Sequence, residues 1–215
     1  MTTDTDLIAG IAAAGFDPAS SASSIIHAAR ILFDKEPFRD VTVSRIARAA
    51  GVNEVTVYRT FGSKDGLAAA CWLGNVEKLR RGIRRDAEST NDPLERVEKH
   101  LARLARVSIQ DQSVTLALLL AVEAQSIERG SKIAALDPRA IVKLPHLLEP
   151  LVASAQAAGQ MTRAYSSFDV AAFLTNSVLI RLMTRQQASA NDVARFVIDL
   201  GIGGTITRDA RRDRE

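Results

Sequence analysis

One short region of the chain, residues 42 to 64, concentrates hydroxyl, cationic and hydrogen-bonding side chains at close spacing. Arg59 could donate two hydrogen bonds to a guanine, Glu54 could accept one from a cytosine, and Val55 could contact a thymine methyl group. Hydroxyl groups and cations suit phosphate oxygens, and Arg45 could reach either a phosphate or a base. Asn53 is grouped with them because it is suited to cap the helix that carries the set. The phosphate candidates are Thr42, Thr56, Tyr58 and Lys64.

These side chains need a rigid platform, and the apolar spacing around them predicts two short helices joined by a tight turn. Gly51 can adopt the positive φ that a left-handed helix exit requires. Val52 then packs between the helices, and the second helix, at about residues 53 to 60, is too short to persist without its neighbours. The pattern predicts a helix-turn-helix whose second helix enters the major groove. The two apolar stripes are Ile46, Ala47 and Ala50, and Val55, Val57 and Phe61.

The segment from Ser24 to Trp72 resembles, almost position by position, the N-terminal DNA-binding domain of the TetR family of bacterial transcriptional regulators. The resemblance covers about residues 23 to 70, and a run of matches this long is specific. One departure is Pro37, which follows Glu36 where the family usually has a glycine, so we expect a different exit from the first helix. The matching positions are Thr42, Val43, Ile46, Ala47, Ala50, Gly51, Val52, Thr56, Tyr58, Phe61, Lys64 and Leu67.

The composition is that of an ordinary globular protein and argues against several kinds of site. The 215 residues are 47% hydrophobic and 25% charged, and the net charge of +3 is too small to indicate nucleic-acid binding by itself. Residues 44 to 64 nevertheless hold four Lys or Arg against one Glu, which suits phosphate contact. Cys71 is the single cysteine, which excludes an internal disulfide, and the three histidines show no metal-ligand spacing. We expect no metal, no cofactor and no enzymatic activity.

The first twenty residues contain no Lys or Arg, so they cannot form the basic arm with which some helix-turn-helix proteins read the minor groove. We predict that they form a mobile or loosely docked extension. The apolar stretch from Leu7 to Phe16 is too short to span a bilayer, and Asp4 and Asp6 stand where a signal peptide needs basic residues. We therefore expect a cytoplasmic protein.

The pattern of caps and breaks predicts an all-α fold, in which a three-helix helix-turn-helix domain is joined to a larger helical bundle. Thr42 is suited to cap the second helix, and Ser63 is suited to cap a long fourth helix that runs to about Glu88. Pro93 suits a helix start. We predict an N-terminal extension and DNA-binding domain over residues 1–66, and a ligand-binding and dimerisation domain over residues 67–215. The other predicted helices lie at about residues 21–35, 93–109, 113–128, 138–158, 168–187 and 190–202.

The last two predicted helices carry more apolar residues than one core-facing stripe requires. This surplus on neighbouring helices indicates a self-association surface, and a thick intrachain core is the alternative. The resemblance favours self-association, because it implies a homodimer in which these helices form a four-helix interface. The apolar residues are Phe173, Val178, Leu179 and Leu182 on the first helix, and Val193, Phe196, Val197 and Leu200 on the second.

Isolated polar residues interrupt the apolar helices between residues 93 and 185. A polar group that is buried must be hydrogen-bonded, and its partner could be the core, a water molecule or a ligand. The resemblance implies a pocket for a small apolar effector in this bundle, although the sequence does not name the molecule. The candidate ligand contacts are His100, Glu123, Gln125, His146 and Asn176.

Together these features predict a sequence-specific DNA-binding regulator, and more specifically a repressor that a small lipophilic effector releases from double-stranded DNA. Effector binding would tilt the fourth helix and change the spacing of two recognition helices, which enter successive major grooves when they are about 34–36 Å apart. The alternative is a DNA-binding nucleoid or division-control factor of the same architecture without a small-molecule switch. A pure interaction module is disfavoured by the intact recognition helix.

Overall fold

The structure is a computed structural model that describes residues 4–17, 19–127, 138–184 and 188–202. These residues form twelve α-helices and one π-helical turn and include no β-strand, which confirms the predicted all-α fold class. The helices are α1 (Asp4–Ala13), α2 (Ala22–Lys35), α3 (Val43–Ala50), α4 (Glu54–Phe61), α5 (Lys64–Cys71), α6 (Leu73–Ser89), α7 (Pro93–Gln110), α8 (Gln112–Ile127), α9 (Pro138–Val142), α10 (Leu144–Ala157), α11 (Ser167–Thr184) and α12 (Ala190–Phe196), and the π-helical turn spans Val197–Ile202.

The chain forms two compact units, each built from two stretches of sequence. The first unit comprises Met1–Glu77 and Asp111–Val142, and it contains the helix-turn-helix. The second comprises Lys78–Gln110 and Lys143–Glu215, so α6 begins in one unit and ends in the other. The predicted division after residue 66 separates proposed activities rather than compact units, and it stays a prediction.

The short helices of the first unit begin at the predicted caps. Thr42, Asn53 and Ser63 each accept a hydrogen bond from the backbone N–H three residues later, at 3.3, 2.8 and 3.0 Å. Caps of this kind typically stabilise a helix by about 1 kcal/mol. Gly51 closes α3 with a φ of 71°, as its position in the turn predicted.

The end of α2 differs from the family pattern in the way that Pro37 predicted. Glu36, the residue after α2, is extended, with φ −144° and ψ 152°, whereas a glycine cap would be left-handed. A proline disfavours the helical conformation at the residue before it, and this accounts for the extended exit.

The prediction of one long fourth helix is wrong, because the helix is interrupted at Trp72. Helix α5 ends at Cys71, and α6 begins at Leu73. Trp72 is fully buried, and its indole Nε1 donates a hydrogen bond of 3.0 Å to Oγ1 of Thr115 on α8. Its backbone N–H bonds to the carbonyl three residues earlier, which tightens the turn at this point.

The predicted helix over residues 138–158 is also two helices, α9 and α10. Between them Lys143 has a φ of 47°, the one positive φ outside glycine among the described residues. Pro145 lies in the first turn of α10 and has no N–H with which to continue α9. The end of the predicted helix 168–187 lies partly outside the described residues, because α11 is described only as far as Thr184.

The N-terminal extension is not the mobile or loosely docked segment that we predicted. Residues 4–13 form α1, in which Leu7 and Ile11 are buried. The sequence had no local signal for this docking, because Gly10 of α1 lies against the backbone of Leu73, which is distant in sequence. Of the described helices, none is both long and apolar enough to cross a membrane.

Candidate nucleic-acid interface

The recognition helix α4 is held by one face and exposed on the other. Val57 and Phe61 are fully buried, and they attach α4 to the rest of the first unit. Val55 is 71% exposed and Tyr58 is 48% exposed, which is unusual for large apolar and aromatic side chains. The exposed face therefore combines apolar, aromatic and polar groups that the fold itself does not use.

Two of the polar side chains on this face are available for contact with DNA. Glu54 and Arg59 are exposed, and within the described part of the chain neither makes a hydrogen bond or ion pair through its side chain. The hydroxyl of Tyr58 is likewise without a protein partner there. These residues match the donor, acceptor and hydroxyl groups that the sequence analysis assigned to bases and phosphates.

Asn53 and Thr56 are engaged in the cap at the start of α4. Oδ1 of Asn53 accepts from the backbone N–H of Thr56 at 2.8 Å and from its hydroxyl at 2.9 Å. Because a hydroxyl has one proton, Thr56 can accept a further hydrogen bond but cannot donate one to a phosphate in this arrangement. Thr42 differs, because its hydroxyl accepts from a backbone N–H and keeps its own proton for donation.

Lys64 is anchored inside the protein. Its ammonium nitrogen donates to the carbonyl oxygens of Phe38 at 2.9 Å and of Val41 at 3.0 Å, and it lies 4.3 Å from the centroid of the Phe38 ring. Partial burial lowers the pKa of Lys64 below its usual value. Two of its three N–H donors thus fix the loop between α2 and α3, and one is left for a phosphate.

Arg45 is held by a carboxylate at the end of α2. Its two terminal nitrogens lie 2.5 Å from the two carboxylate oxygens of Glu36, in the parallel arrangement typical of Arg–carboxylate pairs. The hydrogen bonds raise the pKa of Arg45 and lower the pKa of Glu36. Arg45 is exposed and Glu36 is half-buried, so the guanidinium is open to solvent and a phosphate can compete with Glu36 for it.

The candidate ligand contacts differ in their burial. Glu123, His146 and Asn176 are exposed rather than buried in the core, and their assignment to a ligand pocket stays a prediction. Their helices turn these positions outward, and the imidazole of His146 instead packs edge-on against the ring of Phe168, 5.1 Å away. The side chain of Gln125 lies outside the described residues.

His100 is the one candidate that is buried. It is 1% exposed, and burial lowers its pKa to about 4, so its imidazole is neutral at pH 7. Its Nδ1 has no hydrogen-bond partner within the described part of the protein, and the same is true of the hydroxyls of Ser108 on α7 and Thr175 on α11. The sequence analysis missed Ser108 and Thr175. The helical spacing could have identified Ser108, because this residue lies eight positions after His100 and is buried on the same side of α7.

Comparison with known proteins gives a family match that lies within the first unit. Residues 25–71 match the sequence model of the N-terminal domain of bacterial regulatory proteins of the tetR family. An HTH-type transcriptional regulator, AlkX of Mycobacterium tuberculosis, is 33% identical over 82 residues. That match covers 37% of this chain and 39% of AlkX, so the chain spans well under half the length of this relative.

Solved structures resemble a much larger part of the chain. FadR of Thermus thermophilus, described as a TetR-family repressor in complex with lauroyl-CoA, is 18% identical with a TM-score of 0.68, over 87% of this chain and 96% of its own. The ketosteroid regulator KstR2 of Mycobacterium tuberculosis is 18% identical with a TM-score of 0.57, over 88% and 97% of the two chains. At this level of identity the likeness establishes a shared fold.

Proposed function

We propose that the chain is a member of the TetR family of bacterial regulatory proteins, because residues 25–71 match the sequence model of that family. Within that family we propose that it is a sequence-specific transcriptional repressor that a small effector releases from DNA. The observation that supports DNA binding most directly is the recognition helix, which is anchored through Val57 and Phe61 and exposes Val55, Tyr58 and Arg59 on the opposite face. Such a face fits the major groove of B-DNA, which admits one α-helix.

The contacts with DNA divide into base reading and positioning. Arg59, Glu54 and Val55 read base edges, because they are exposed and their side chains have no competing partner in the described protein. Tyr58, Thr42 and the remaining N–H of Lys64 contact phosphates. Arg45 joins the phosphate contacts when it leaves Glu36.

The active species is a homodimer that pairs two recognition helices. Helix α11 exposes Phe173, Ile180 and Met183, and Phe196 and Leu200 at the end of the described chain are exposed as well. Asn176, which we had assigned to the ligand pocket, lies on this exposed face of α11. A second copy of the chain would bury these apolar groups and place the recognition helices at successive major grooves.

The effector binds in the second unit. His100, Ser108 and Thr175 are buried there with polar atoms that the described protein does not satisfy, and leaving such atoms unpaired costs about 1–3 kcal/mol each. A small, largely apolar molecule with neutral hydrogen-bonding groups would satisfy them. It releases DNA only if it binds more tightly to the dimer spacing that does not fit the operator.

Selection of DNA from a random library tests the proposed function. The wild-type protein should enrich a palindromic duplex, and it should bind that duplex as a dimer. Arg59→Ala should then lose about 1–3 kcal/mol of affinity for the selected duplex and relax the preference at one base pair.

The matched control is Tyr58→Phe, which removes one proposed phosphate contact on the same helix face. It should weaken binding to selected and random duplexes by the same factor, because a phosphate contact carries no sequence information. Failure of the wild-type protein to enrich any sequence would refute the proposal. An equal loss for Arg59→Ala on both duplexes would move Arg59 to the phosphate contacts.

A further inference from the structure

The N-terminal extension, which lies outside the part of the chain that matches the family, contacts α4 and α6 of the first unit. It consists of α1 and the turn that follows, and it has no Lys or Arg with which to contact phosphates. Leu7 and Ile11 anchor α1, whereas Ile8 on the same helix is 49% exposed. Any influence of the extension on DNA binding must therefore pass through packing.

The turn after α1 directs the side chain of Phe16 towards α4. The backbone N–H of Phe16 donates to the carbonyl of Ile11 at 3.1 Å, and the N–H of Gly15 donates to Ala12 at 3.0 Å. Gly15 has a φ of 85°. This pair of bonds with a left-handed glycine is the Schellman motif, which reverses the chain at a helix end and fixes the direction of the next side chain.

Phe16 contacts the last residue of the recognition helix. Its ring centroid lies 5.4 Å from that of Phe61, with the two rings tilted by 43°. Phe61 is fully buried and ends α4, one turn after the exposed Tyr58. A shift of the Phe61 ring would therefore change how α4 presents its reading face.

Gly10 fixes the position of the extension at its other contact, which is with α6. A Cβ atom at this position would lie 2.4 Å from the carbonyl oxygen of Leu73, the first residue of α6. Helix α1 thus approaches the backbone of α6 as closely as only a glycine permits. The extension is seated against α6 at one point and against the end of α4 at another.

We propose that Phe16 is a positioning residue for the recognition helix. Gly10 allows the extension to pack closely against α6, and the contact of Phe16 with Phe61 then sets the orientation of α4. This inference rests on the proposed DNA-binding function. It assigns to the extension a role in operator affinity that involves no contact between the extension and DNA.

The test compares Phe16→Ala with Ile8→Ala in the full-length protein. The probes are the duplex that the wild-type protein selects from a random library and a random-sequence duplex of the same length. Phe16→Ala should weaken binding to the selected duplex by about 2- to 10-fold, which is the range of an aromatic pair converted to an affinity ratio. Its affinity for the random duplex and the salt dependence of binding should stay unchanged, because no phosphate contact is lost.

Three further variants separate positioning from general stability. Ile8→Ala removes an exposed side chain from the same helix and should bind both duplexes as the wild type does. Phe16→Tyr keeps the ring and should restore selective binding. Gly10→Ala keeps Phe16 but forces α1 away from Leu73, so it should lose selective binding in the same direction as Phe16→Ala. Thermal unfolding of each variant shows whether it is folded at the assay temperature.

Three outcomes would overturn the inference. The first is wild-type affinity of Phe16→Ala for the selected duplex, including the case in which only its thermal midpoint falls. The second is an equal loss on both duplexes, which would indicate a non-specific role. The third is failure of the wild-type protein to select any duplex, and that result would refute the proposed function itself.

Discussion

At the scale of single residues, the interface contains side chains that are open to DNA and side chains that the protein already uses. Arg59 and Tyr58 belong to the first group, and Lys64, Arg45 and Thr56 to the second. Residue type alone could not separate the groups, because a lysine at the start of a helix suits a phosphate and a loop carbonyl equally well. The partners of Lys64 lie 23 and 26 residues away in sequence, where no local pattern points to them.

Lys64→Ala should therefore have two measurable effects. The carbonyls of Phe38 and Val41 lose a charged donor, and the free energy of unfolding should fall by about 1–3 kcal/mol. Loss of the remaining N–H from a phosphate should also lower the salt slope of DNA binding by about one. Denaturant titration measures the first effect, and binding at several salt concentrations measures the second. A salt slope equal to that of the wild type would leave anchoring of the loop as the only role of Lys64.

His100 should make the stability of the protein depend on pH. Burial lowers its pKa from 6.5 to about 4, so between these pH values the unfolded chain binds a proton that the folded chain does not. The free energy of unfolding is therefore highest, as far as this group is concerned, above about pH 6.5. It falls by roughly 3 kcal/mol in total as the pH decreases towards 4. Urea unfolding from pH 7 to pH 4.5 should show a steeper loss for the wild type than for His100→Gln.

At the scale of secondary-structure elements, the parts that could be predicted from sequence are those fixed by near neighbours. Thr42, Asn53 and Ser63 bond only three residues ahead, and their helices begin where predicted. The break at Trp72 could not be predicted, because its indole is fixed by Thr115, 43 residues later. The docking of α1 depends in the same way on contacts distant in sequence.

The exposed face of α11 should determine the oligomeric state. Ile180 is 58% exposed at the centre of this face, and a second copy of the chain would bury it. Ile180→Glu would place two carboxylates in an apolar interface, and desolvation would disfavour them. We expect this variant to sediment as a monomer at micromolar concentration and to bind the selected duplex weakly. Ile8→Glu, at a comparably exposed position on α1, should remain dimeric; a strictly monomeric wild-type protein would contradict the proposed interface.

At the scale of the whole molecule, the proposed switch requires that effector occupancy in the second unit alters DNA binding by the first. The two units are continuous through α6, which begins in one and ends in the other. Binding alone does not couple them, because a ligand with equal affinity for both dimer spacings would shift nothing. The switch therefore requires that the effector bind one dimer spacing more tightly than the other.

A thermal-shift screen followed by band-shift assays tests this coupling. Small, largely apolar compounds with neutral hydrogen-bonding groups are suitable first probes, because His100, Ser108 and Thr175 carry buried polar atoms without partners in the described protein. An effector at a hundredfold excess over its Kd should stabilise the protein by about 2.7 kcal/mol and should release the selected duplex. The stabilisation should be smaller in Ser108→Ala if that hydroxyl contacts the ligand. A compound that stabilises the protein without changing DNA affinity would favour the alternative of a DNA-binding factor without a small-molecule switch.

Trp72 has a practical consequence, because it is the only tryptophan in the chain. Its indole is fully buried and hydrogen-bonded to Thr115, at the junction between α5 and α6. Tryptophan emission shifts to longer wavelength when the indole meets water, so the fluorescence of the native protein reports on this single junction. The chain thus contains an intrinsic optical probe for the segment that joins the helix-turn-helix to α6, and no label is needed to follow it during titration with DNA.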